Sequence, residues 1–154
     1  MKTLLLLAFT LTFSMLANAG HHAEGETAGH ADPKAVVTAA YATFSSGNND
    51  AWTALHTDDL RFTTFGQLPQ SGVFIGPKAV IENVFAKIAI HWPTFKLTPI
   101  SINAIGNTVY VHNKMTADGL DSETMHMFVV ENGKVAAFTA FEDTDSMRQA
   151  IVTE

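Results

Sequence analysis

A histidine and a glutamate fall on one face of a hairpin near the end of the chain. Residues 123–142 read Glu-Thr-Met-His-Met-Phe-Val-Val-Glu-Asn-Gly-Lys-Val-Ala-Ala-Phe-Thr-Ala-Phe-Glu. Asn132-Gly133 supplies the positive φ angles of a tight two-residue turn. Side chains repeat every second residue along a strand. His126 is therefore in phase with Thr124, Phe128 and Val130, while Phe138, Ala140 and Glu142 share a face of the return strand. Imidazole both donates and accepts, and it titrates near neutrality. Glu142 is expected to partner a histidine on this face. The pair suits proton transfer, or stabilisation of charge on a carbonyl oxygen. His112, in phase with Tyr110, Lys114 and Thr116 on the preceding strand, is the third candidate catalytic residue. It is expected to reach the same cavity as His126 if the strands meander. The plain alternatives are a histidine satisfied inside the core by a backbone carbonyl or by Tyr41, and a glutamate at a solvated strand end.

Two further sets of residues have the types for metal chemistry. His56, His112, His126 and Glu142 carry ligand atoms, but no HxH or HExxH spacing marks a site. If the chain is cleaved after Ala19, its new terminus is Gly20-His21-His22. A free amine, two deprotonated amides and the third-position imidazole make a square-planar set for Cu(II) or Ni(II). No other cofactor is expected. Asp58-Asp59 is not an acid–base pair, since adjacent strand residues point to opposite faces.

The chain has 154 residues, no cysteine and a formal charge of −6. The acidic balance disfavours nucleic acid or anionic lipid as a partner. The absence of cysteine excludes a disulfide scaffold and a thiolate metal site. Lys2, the apolar run at residues 4–16 and Ala17-Asn18-Ala19 together form a secretory signal pattern. Residues 1–19 are thus expected to be removed, making the protein periplasmic or secreted, with no membrane association afterwards. Residues 20–31 hold three histidines and no large apolar side chain, and read as a flexible tail. Residues 32–154 remain for one domain.

Asp32-Pro33 opens the first helix, with Val36, Val37, Ala40, Tyr41 and Phe44 at helical spacing. Gly47 stops it. Asp50 is expected to cap a second short helix carrying Trp52, Leu55 and His56, ended by residues 57–59. Residues 60–65 alternate as a strand with Leu60, Phe62 and Thr64 on one face, and residues 66–76 read as a loop. Pro77 starts a third helix with a stripe of Val80, Ile81, Val84, Phe85 and Ile88, ended at Trp92-Pro93. Strands at 95–103 and 108–117 precede the hairpin, and residues 143–151 form a last helical turn or frayed tail. Helices on one side of a mostly antiparallel sheet make an α+β domain.

The order and spacing of four stretches resemble the nuclear transport factor 2-like superfamily, in its SnoaL-like polyketide cyclase and ketosteroid isomerase branch. They are Gly47-Asn48-Asn49-Asp50-Ala51-Trp52, Thr57-Asp58-Asp59-Leu60, Gly76-Pro77-Lys78-Ala79-Val80, and Phe128 through Gly133-Lys134-Val135 to Asp143-Thr144. The resemblance implies a cone-shaped curved sheet, the cystatin-like roll, packed on three N-terminal helices, with a pocket at its open end. It implies a small-molecule ligand and a homodimer. Tyr41, Trp52, His56, Phe62, Phe128 and Phe138 are then expected to line the pocket. The steroid isomerase works with an aspartate base, a tyrosine and a protonated aspartic acid. Ungapped, the base falls at Thr64, the tyrosine at Ala40 and the oxyanion aspartate at His126. An acid common on the last strand falls at Ala140. The steroid route therefore lacks its base. What is expected is binding of a small, largely apolar molecule, with isomerase, cyclase, dehydratase or hydrolase-type chemistry. The alternative is a non-catalytic binding or dimerisation module whose exposed sheet face, with Met125, Met127 and Val129, pairs two copies.

Overall fold

A computed structural model describes residues 31–152. The expected leader, and the tail with its Gly20-His21-His22 metal site, lie outside the described residues.

Helix α1 (Pro33–Ser45) begins as its sequence dictates. The Asp32 carboxylate accepts a hydrogen bond from the Lys34 amide, and Pro33 occupies the first turn. Val36, Val37, Ala40 and Tyr41 form its buried face. Gly47, at φ +66°, turns the chain away. Helix α2 (Asn49–Ala54) is capped by Asn48, whose side chain accepts from the Ala51 amide, and not by Asp50. Asp50 lies inside the first turn, where its charge complements the helix dipole. The helix is also shorter than its apolar residues suggest, because β1 (His56–Thr64) already begins at His56. A shift in strand pairing between His56 and Arg61 absorbs this early entry.

The stretch expected as a loop contains a four-residue edge strand, β2 (Gly72–Ile75), paired antiparallel with β1. It carries half-exposed residues on one face and exposed ones on the other, so no core pattern marks it in the sequence. The third helix is three joined segments: α3 (Pro77–Val80), a π-helical turn (Ile81–Phe85) and α4 (Ala86–His91). The π turn widens the helix by one residue per turn and re-aims its apolar stripe.

Strands β3 (Lys96–Ile105), β4 (Thr108–Ala117), β5 (Leu120–Glu131) and β6 (Lys134–Phe141) follow as an antiparallel meander. The turn between the last two has Asn132 at φ +50° and Gly133 at φ +77°. The six-stranded sheet runs β2-β1-β6-β5-β4-β3, with β1 and β6 parallel. A short helix, α5 (Thr144–Gln149), closes the chain under an Asp143 cap.

The curved sheet turns one face toward the helices. Leu60, Phe62, Val109, Val111, Phe128, Val130, Val135, Phe138 and Ala140 come from its inner face, and α1, α2 and α3 contribute Val37, Tyr41, Trp52 and Val80. A smaller cluster of Leu68, Trp92, Met115, Leu120 and Met147 lies beneath α5. There Trp92 Nε1 donates to the Met147 carbonyl at 3.0 Å. The second cluster gives the last helix a buried anchor, which is why residues 144–149 are a helix and not a frayed end.

Candidate functional site

Strand register builds the floor of a cavity from two cross-strand rows. In the first, Phe62 pairs with Phe138 and Phe138 with Phe128. The Phe62 and Phe138 rings stack at 4.1 Å, and Phe128 meets Phe138 edge-on at 4.9 Å. One step along, Thr64 pairs with Ala140 and Ala140 with His126. Ala140 projects only a methyl group, so the middle of this second row is open. Glu142, just past β6, also lines the cavity. The roof comes from Tyr41 and Phe44 of α1, Trp52 of α2, Val84 and Phe85 of the π turn, and Ile88 of α4. Phe95 and Leu97 complete the wall, and His56 enters beside Trp52. The space open to the centre of a water molecule is about 60 Å³, room for a few waters or one small planar group. Phe44, Phe85, Ile88, Phe95 and Leu97 also border an outer cleft that adds Asn49 and Lys96.

His126 is 5 % exposed. Its Nδ1 lies 2.7 Å from Tyr41 Oη, and its ring meets Phe138 edge-on at 4.8 Å. Burial drives its pKa down to about 3, so the ring is neutral at any ordinary pH. Behind Tyr41 stands Asn113, fully buried, whose Nδ2 donates to Tyr41 Oη at 3.0 Å and to the Val111 carbonyl at 3.1 Å. Burial pushes the Tyr41 phenol up, against the opposing effect of the Asn113 hydrogen bond. Tyr41 therefore remains a neutral hydroxyl.

His56 is also held neutral. Its Nδ1–H donates to the Trp52 carbonyl at 2.6 Å, and its ring stacks on Trp52 at 3.7 Å. Burial lowers its pKa to about 4, with the Trp52 carbonyl opposing and nearby Lys134 assisting. Glu142 shifts the other way. Burial pushes its carboxyl up to about 7, partly offset by Gln70 Nε2 at 3.5 Å. The cavity thus holds two neutral imidazoles and one carboxyl that exchanges its proton near neutrality. Thr64 cannot join them, because its hydroxyl donates to the Gln70 carbonyl at 2.6 Å and pins the loop after β1.

Every expected lining residue reaches this cavity: Tyr41, Trp52, His56, Phe62, Phe128 and Phe138, together with His126 and Glu142. His112 does not. The β4–β5 register places Val111 opposite His126 and His112 opposite Met125. His112 is consequently on the outer face, where its Nε2 pairs with Glu123 Oε2 at 2.7 Å. Among the described residues no three His, Asp or Glu side chains converge as a metal site. Asn113 and Gln70 were not anticipated. Asn113 had a signal, since it is the polar member of the inward series Val109, Val111, Asn113, Met115. Gln70, in an irregular loop, had none.

Comparison with known proteins agrees with this architecture. A search of curated proteins finds no match. Among solved structures, a nuclear transport factor 2-like protein of Burkholderia thailandensis is similar at 22 % identity and a TM-score of 0.72, covering 78 % of this chain and 97 % of that one. Bal32a, from a soil-derived mobile gene cassette, is 23 % identical with a TM-score of 0.70, over 79 % and 98 % of the two chains. TerC, co-crystallised with polyporic acid, is 17 % identical with a TM-score of 0.69, over 77 % and 98 %. At these identities the likeness speaks for the fold. The SnoaL-like domain model matches residues 37–138, from α1 to the Phe138 of the cavity floor. With two-thirds of its length under that model, and with the curved sheet and helices of the nuclear transport factor 2-like fold, the chain belongs to the SnoaL-like family.

Proposed function

We propose that this chain is an exported SnoaL-like domain that takes a small, largely apolar molecule into its cone and acts on it by acid–base chemistry. The observation that carries this reading is the joint placement of a neutral His126 and a near-neutral-titrating Glu142 in one cavity walled mostly by aromatic and aliphatic side chains. Ionised Glu142 takes a proton from carbon next to a carbonyl. The electron pair moves onto the carbonyl oxygen, and a hydrogen bond from the His126 imidazole stabilises the charge that develops there. Glu142 then returns the proton to another carbon, which is an isomerisation, or protonates a departing oxygen, which is an elimination. The apolar walls strengthen these interactions by excluding water. TerC, crystallised with polyporic acid, supports the general point that this fold accommodates small organic molecules.

A specific observation favours a second reading, in which the domain pairs with its own copy. Phe65, Tyr110, Met125 and Phe141 are 38–51 % exposed among the described residues, the last three on the outer face of the sheet. The two readings are compatible, because the cavity and this face lie on opposite sides of the sheet.

The test of the first reading is native mass spectrometry of the protein purified from its own compartment, alongside Glu142→Gln and His126→Ala. The expected result is a small molecule retained by wild type and weakened in His126→Ala, with turnover of that molecule abolished in Glu142→Gln. A co-purified molecule that both variants hold and turn over like wild type would refute the assignment.

A further inference from the structure

We infer that Asn113 fixes the imidazole proton of His126 on Nε2, so that the cavity presents a hydrogen-bond donor there and selects ligands with a carbonyl or oxyanion oxygen placed beside His126. This rests on the reading of the cavity as a ligand site, and it deepens that reading by naming the group the site takes.

The argument is one of counting hydrogens. Asn113 is fully buried. Its Nδ2 has two hydrogens, and two acceptors stand within reach, the Val111 carbonyl at 3.1 Å and Tyr41 Oη at 3.0 Å. The carbonyl cannot donate, so it fixes which end of the amide carries the nitrogen. Tyr41 Oη therefore receives a hydrogen from Asn113. Its own hydrogen needs an acceptor, and His126 Nδ1 lies 2.7 Å away. At that separation the facing ring atom must be nitrogen, because a ring carbon would be in steric conflict. If Nδ1 carried a proton instead, the Tyr41 hydrogen would be buried with no acceptor among the described residues. Nδ1 therefore accepts, and a neutral ring with an accepting Nδ1 has its proton on Nε2.

Nε2 has no protein partner among the described residues. Nδ1 is turned toward Tyr41, and the residue lines the cavity, so Nε2 is the ring nitrogen left for a ligand there. Neutral imidazole is a suitable donor to a developing oxyanion, because it polarises the oxygen without first surrendering a proton. His56 has the opposite tautomer, since its Nδ1–H is committed to the Trp52 carbonyl. The two histidines of the cavity are thus not interchangeable. Asn113 does not line the cavity. It is a positioning residue, acting through Tyr41.

The experiment reads the ring nitrogens of His126 in the ligand-free full chain, by long-range proton–nitrogen NMR with ring-labelled histidine, at pH 7. Wild type is expected to show a protonated Nε2 and a bare Nδ1. Asn113→Asp replaces the donor by an acceptor for the Tyr41 hydroxyl, and it is expected to move the proton to Nδ1. Tyr41→Phe removes the link, and it is expected to populate both tautomers. Wild type with its proton on Nδ1, or a doubly protonated ring, would overturn the inference. So would a proton that stays on Nε2 in both variants. The readout needs no ligand, so failure of the proposed function leaves this result standing, and the reverse also holds. A ligand found by mass spectrometry that has no oxygen acceptor would overturn the selectivity while leaving the tautomer intact.

Discussion

The cavity side chains pull stability in opposite directions as pH changes, and the signs separate them. His126 and His56 have folded pKa values of about 3 and about 4, below the ordinary 6.5. Their neutral, buried forms contribute stability fully above pH 6.5, and that contribution is lost as pH falls toward 4 and 3. Glu142 rises from 4.5 to about 7. Its contribution is present below pH 4.5 and is lost as pH rises through 7. Replacing it by glutamine removes this second slope. Relative to Glu142→Gln, wild type should lose up to about 3 kcal/mol between pH 4.5 and 7. Urea melts across that range measure the difference, and parallel curves for the two proteins would rule out the raised carboxyl. At the same scale, Tyr41→Phe leaves His126 Nδ1 and an Asn113 hydrogen without partners. It should cost about 1–3 kcal/mol in the same assay.

At the scale of elements, register decides the site. Thr64, Ala140 and His126 stand in one row because β6 lies between β1 and β5. The gap above Ala140 exists because its neighbours in the row are longer. Ala140→Leu should fill that gap, block ligand retention between His126 and Glu142, and cost about 1–3 kcal/mol through overpacking. A variant that folds and still retains the ligand would place binding elsewhere. The π turn matters for a related reason. It sets Val84 and Phe85 against the cavity, with Phe85 meeting Phe44 edge-on at 4.9 Å and Trp52 at 4.8 Å. The start of α2 offers a plain check on capping. Asn48→Ala should destabilise by about 1 kcal/mol, whereas Asp50→Ala, which removes only a favourable dipole interaction, should cost a few tenths.

For the molecule as a whole, the sheet separates two surfaces with different chemistry. Its inner face is closed by helices and holds the cavity. On the outer face, Met125 pairs with Phe141, and Phe141 lies 5.5 Å from the Phe65 ring. A double substitution, Met125→Lys with Phe141→Lys, puts two charges at the centre of this patch without touching the inner rows. If the patch joins two copies, sedimentation should show wild type as a dimer and the variant as a monomer, with cavity binding retained. Wild type sedimenting as a monomer at tens of micromolar would remove the pairing.

Much of this was legible in one dimension. Period-two alternation placed His126 with Phe128 and Val130, and Leu60 with Phe62 and Thr64, on buried faces. Asn-Gly and Asp-Pro marked a turn and a helix start, because those residues have few backbone alternatives. The α+β class, the meander and the aromatic lining follow from such local preferences together with the family resemblance. Local preference could not show how one strand slides along another. That relation is set by packing of whole strands, and it put Val111 opposite His126 and His112 opposite Met125. Nor could it reveal β2, whose short edge has no buried pattern, or the π turn, whose residues suit an α-helix equally well. The sequence alone determined which residues face inward along most strands. Only the tertiary structure decided which inward residues meet, because hydrogen bonds such as Asn113–Tyr41–His126 join positions 72 and 85 residues apart.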